Sequence, residues 1–119
     1  MSKVIVNKFI PFKGFLAINL FGVIFVRSDA VKNLDGVNIW TMLNHERIHT
    51  KQMREMGYIF FYIWYFLEWL VRFVINGKKA YENIVFEREA YNNEYVQNYN
   101  VERKHFAWFK YYGKKYKVE

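Results

Sequence analysis

Two histidines four residues apart, with a glutamate beside the first, form the segment of this chain best suited to chemistry: His45-Glu46-Arg47-Ile48-His49. On a helix, positions i and i+4 lie one turn apart on a single face. Both imidazoles can then reach one metal ion, and Glu46 is directed toward a water on that ion. The residue types suit zinc. Neutral imidazole is a good zinc ligand, and a catalytic site keeps one position open for water. Zinc brings the pKa of that water to roughly 7, where a neighbouring carboxylate can take its proton. At this chain's own histidine and glutamate frequencies the pattern arises by chance in roughly one such chain in two hundred, and two of the three histidines lie inside it.

Catalytic zinc usually has three protein ligands. The chain has no cysteine, so a third ligand must be His, Asp or Glu, and disulfides and thiolate chemistry are excluded. His105 is the remaining histidine. Among the acids, Glu55 lies too far along the same helix, Glu68 has a partner four residues on in Arg72, and Glu89 faces away from Glu87 toward solvent. Glu87 and Glu94 share nearly one face of a later helix, and either could ligate or support. Ala90 favours Glu87, because a small side chain one turn beyond a ligand lets its helix approach the histidine helix closely.

The elements that must hold these residues follow from the pattern. Residues 1–27 form a β segment: Lys3–Lys8 is β-prone, and the apolar run Phe9–Val26 is broken by Pro11, Lys13, Gly14, Asn19 and Gly22 and ends in β-branched residues. Strands are expected at 15–20 and 22–27, and the edge of the second could take an extended peptide by strand addition. The same interruptions argue against a secretion leader. A polar loop then leads to a zinc-motif helix over 37–56, with Asp35 or Asn38 as N-cap and Gly57 closing it. An apolar helix, buried or at an interface, spans 58–76, since Glu68 and Arg72 interrupt what would otherwise be a membrane span. A third helix over 78–96 carries Glu87, and a short aromatic helix at about 102–112 begins a basic aromatic tail, 102–119. The whole reads as one α+β, mainly α domain of 119 residues.

The order His45-Glu46-x-x-His49, an apolar helix, then Glu87-x-x-Ala90 on a further helix resembles the gluzincin metallopeptidases. In arrangement it is most similar to two membrane-associated branches, the prenyl-protein (CAAX) protease type and the β-lactam-sensor antirepressor peptidases, over about residues 19–94. The resemblance implies Zn2+ as cofactor, His45, His49 and Glu87 as its ligands, Glu46 as general base, and a peptide or protein as substrate. Those families usually place an Asp after the Ala to orient the first histidine. Here Tyr91 stands in that position, so Asn92, Glu94 or a backbone carbonyl must supply the acceptor.

The expected activity is therefore that of a zinc metallopeptidase, a hydrolase in which Tyr91, Arg88 or His105 assists as oxyanion donor or outer support and Glu94 supports the ligands. The alternative is a non-catalytic metal-binding or membrane- and partner-interaction module. The formal charge of +7 is concentrated toward the C-terminus, where Arg103, Lys104, Lys110, Lys114, Lys115 and Lys117 face only Glu102 and Glu119. Such a tail suits an anionic membrane surface. Arginine-glycine repeats, zinc-finger spacing and RNA-binding aromatic motifs are absent from the sequence, so nucleic acid is not an expected partner. The expected location is the cytoplasm or the inner face of a membrane.

Overall fold

The computed structural model describes residues 3–118, so Met1, Ser2 and Glu119, the extremes of the expected terminal segments, lie outside it. The fold is α+β and mainly helical, with a small sheet preceding the helices. Strands β1 (Lys3–Asn7), β2 (Ala17–Leu20) and β3 (Val23–Arg27) form a sheet in the order β1-β3-β2. β3 pairs parallel to β1 and antiparallel to β2. Phe21 and Gly22 link β2 to β3 with φ of 54° and 88°. A two-residue turn with both φ positive matches the strands' own twist, and glycine adopts it without strain. The expectation that β3 offers a free edge is corrected here. It is flanked on both sides, and the free edge nearest the helices belongs to β2.

Helix α1 (Ser28–Val31) is a single turn. Helix α2 (Gly36–Met56) carries the histidine motif, and the Asp35 side chain accepts from the Asn38 N–H at 2.8 Å to cap it. Gly57, at φ 72°, is the one residue between α2 and α3 (Tyr58–Asn76). That left-handed corner requires glycine and folds α3 back against α2. Only Phe61 and Glu68 of α3 are buried and its apolar side chains mostly face outward, so of the two expected settings, buried or at an interface, the buried one is not met.

The expected continuous helix over 78–96 is broken. A 3₁₀ turn at Gly77–Lys79 leads into α4 (Ala80–Asn83), and α5 (Val85–Asn93) begins after Ile84, whose ψ of 133° is extended. The cause is Glu68, whose carboxylate accepts the Val85 N–H at 2.6 Å and so starts a new helix there. The expected helix at about 102–112 is likewise replaced by α6 (Tyr99–Glu102) and a 3₁₀ segment, Ala107–Tyr112, separated by Phe106 in the left-handed region. Met53, Phe61, Ile84, Val85, Phe86, Trp108 and Tyr111 form the core, which joins α2, α3, α5 and the C-terminal segment.

Candidate metal centre and the clefts beside it

The inward face of α2 is unusually polar. His45, His49 and Gln52 are buried on it together with Ile48 and Met53. Helix α5 packs across this face with Ala90 wholly buried, which brings Glu87 to both imidazoles. Glu87 Oε1 lies 3.1 Å from His45 Nε2 and 3.1 Å from His49 Nε2, and the two Nε2 atoms are 3.2 Å apart. The ligand atoms of all three residues fall within 4.8 Å of one another.

Each imidazole is oriented from behind. Glu94 accepts from His45 Nδ1 at 2.8 Å, and the Gln52 carbonyl oxygen accepts from His49 Nδ1 at 2.8 Å. The Gln52 amide cannot turn the other way, because its Nε2 donates to the Phe86 carbonyl and to Glu89 Oε1. Asn44, one residue before the motif, donates to the Glu94 carbonyl at 2.9 Å and holds the end of α5 in place. With both Nδ1 atoms donating, both Nε2 atoms of the neutral rings carry bare lone pairs toward the Glu87 carboxylate. Three acceptors facing each other repel unless a positive charge lies between them. The two nitrogens and one oxygen fit a divalent cation such as zinc.

Without a metal ion, a proton on His49 takes that place. Burial opposes a charged His49, but the Glu87 carboxylate outweighs it and raises the imidazole to about 9. For Glu87, burial opposes ionisation, yet His49 and His45 hold the carboxyl well below the usual carboxylate range. Tyr65 donates to the other Glu87 oxygen at 2.7 Å, and the Tyr91 ring stands edge-on to His45 with centroids 4.6 Å apart.

Glu46 does not join the cluster. It lines two clefts on either side of it, and burial raises its carboxyl. One cleft, of ≈ 300 Å³, runs past Asn19, His49 and Tyr62, and the other, of ≈ 490 Å³, past Thr41, His45 and Glu94. Ala17, Glu46 and Tyr81 line both, so a groove follows β2 and passes the Glu46 carboxylate. Asn19 donates to the Glu46 carbonyl at 2.8 Å and ties this strand to α2.

Two of the expected site residues lie elsewhere. Arg88 is buried and donates to the Tyr111 carbonyl and to Asn83 Oδ1. His105 is exposed, 3.4 Å from Glu55. Glu89, expected in solvent, is instead fully buried and holds Gln52, Tyr99 and Arg103. Gln52, Asn44, Tyr65 and Tyr81 were not anticipated. Gln52 had a readable signal, being a polar residue three positions after His49 and so on the same helical face, whereas Tyr65 and Tyr81 reach the site only through tertiary packing. Compared with family models, curated proteins and solved structures, the chain matches none.

Proposed function

We propose that this chain is a zinc-dependent peptidase of the gluzincin kind. The observation that carries the proposal is the convergence of three lone pairs, from His45, His49 and Glu87, beside a groove lined by Glu46. A zinc ion held by those three residues supplies Lewis acidity toward water and toward a peptide carbonyl. Glu46 takes a proton from the attacking water at its carboxylate and returns it to the leaving amine. Tyr91 and Tyr81, whose hydroxyls bond to each other near the groove, are the donors available to a developing oxyanion. Glu94 and Gln52 keep the imidazoles in the ligating tautomer. We further propose a cytoplasmic location, free or against the inner leaflet, on the strength of the basic charge.

The test is cleavage of casein or a peptide library by the zinc-loaded protein. Glu46→Gln is expected to retain zinc and fold while losing at least about two orders of magnitude in hydrolysis; equal rates in the two proteins reject the role. One observation favours a second reading. All three donors are nearly out of reach of solvent, and Glu87 already holds Tyr65, as suits a structural metal in a non-catalytic module. In that case zinc removal unfolds the protein, and the wild type cleaves nothing.

A further inference from the structure

Helix α3 is inside out. Its two charged side chains, Glu68 and Arg72, are turned into the protein. Glu68 accepts from the Val85 N–H and from Tyr112, and Arg72 lies 3.6 Å from Glu68 and over the Tyr112 ring. The opposite face carries Ile59, Ile63, Phe66, Leu70 and Phe73, at the three- and four-residue steps of a single stripe, and Phe60, Leu67, Val71 and Val74 flank it, the first three lining a cleft with Glu68 and Arg72; all of these apolar side chains are exposed. Among the described residues one helical stretch, beginning at Tyr58, is long and apolar enough to cross a membrane.

What covers this face is indicated by its chemistry and by the charge at its end. Lys78 and Lys79 follow α3 directly. Asn83 binds both the Lys79 carbonyl and Val118, which brings Lys117 and the neighbouring Lys114 and Lys115 to the same corner. Opposed to these lysines in that corner stands Glu82, already 3.4 Å from Lys79. A protein interface of ordinary size carries about ten hydrogen bonds, and the stripe offers no side-chain polar group to make one. A second copy would bring another +7 of charge toward the first. Lipid hydrocarbon asks for no hydrogen bonds, and an anionic leaflet attracts lysines at its surface.

We propose that the outward face of α3 docks into the hydrocarbon of an anionic lipid bilayer, with the lysine corner at its C-terminal end lying at the headgroups. This stands apart from the peptidase reading, since no metal or hydrolysis enters it. The experiment is flotation of the purified full chain with phosphatidylcholine vesicles, with and without phosphatidylglycerol. The wild type is expected to float with the anionic vesicles and to be released by salt. Leu67→Glu with Val71→Glu is expected to abolish flotation, and Lys78→Glu with Lys79→Glu to weaken it by at least about tenfold. Val37→Glu, at an exposed apolar position on α2, is expected to change little. Circular dichroism reports whether the α3 variant folds; if it does not, Val74→Ser, at a position 84% exposed, serves as the milder variant and should reduce flotation measurably. Absence of flotation on either vesicle overturns the proposal, as does flotation that the α3 variants leave unchanged. A stable dimer in buffer that the α3 variant dissolves, with no lipid binding, would assign the face to a second copy instead.

Discussion

Three acceptor atoms at 3.1 and 3.2 Å from one another need a positive charge between them, and in metal-free protein a proton on His49 supplies it. On the proposed zinc reading, the metal must displace that proton. His49 is raised from 6.5 to about 9, so its contribution to folding is complete below about pH 6.5 and fades as the pH climbs toward 9. Metal-free protein is therefore expected to lose thermal stability across that interval, while zinc affinity rises across it with release of a proton. Melting curves and zinc titrations at several pH values check both, and a flat affinity profile would contradict the lone-pair argument. The proposed ligands are separable from their supports. His45→Ala, His49→Ala and Glu87→Ala are each expected to abolish zinc binding, measured as metal per chain. Glu94→Ala and Gln52→Ala, which only free the imidazoles to turn, are expected to weaken it by about 10–100-fold. If Glu94→Ala proves the more severe, Glu87 is not the ligand.

At the scale of elements, the supports of the cluster depend on one arginine. Arg103, after α6, places its guanidinium against Glu89 on α5 and 2.6 Å from Glu55 near the end of α2. All three side chains are nearly or wholly buried, and Glu89 in turn holds the Gln52 amide behind His49. Arg103→Ala removes the buried cation from both carboxylates, leaving Glu89 to Gln52 and Tyr99 and Glu55 to the Phe106 N–H and exposed His105, so a loss of about 3–5 kcal/mol in urea denaturation is expected, with weaker zinc binding. A loss below about 1 kcal/mol would mean that both carboxylates find water instead. This clamp also shows what the sequence could and could not disclose. The i, i+4 histidines, the Asp35 cap and the Gly57 corner are local features, and all were legible. The break before Val85 is imposed by Glu68 from 17 residues earlier, and the burial of Glu89 by Arg103 from 14 residues later. Helical periodicity carries no information about such partners, so it gave one long helix and a solvated Glu89. In the same way, the composition of α3 showed that it was apolar but not that its charges turn inward.

For the whole molecule, the relation between sheet and helices decides where a substrate backbone could lie. β3 is central because it pairs in parallel with β1, a long-range pairing that no local pattern announces. β2 is consequently the edge, and it runs along the groove past Glu46. Its register fixes which backbone groups are free. Arg27 N–H donates to the Leu16 carbonyl at 2.9 Å, and antiparallel pairs alternate, so Ile18 and Leu20 also face β3 whereas Ala17 and Asn19 face away. The outward Asn19 carbonyl accepts from Tyr62. Ala17, which lines both clefts, is left to pair with an added strand. Ala17→Pro removes that N–H without touching the bonds to β3, a substitution that edge strands tolerate. It is expected to leave zinc content unchanged and the melting temperature nearly so, and to lower kcat/KM on a peptide substrate by at least about tenfold, the loss of roughly one well-placed hydrogen bond. Ala17→Ser, which keeps the N–H, should behave as wild type. If the proline variant cleaves as well as the serine variant, the substrate does not extend the sheet at β2, and the groove must bind it through side chains alone.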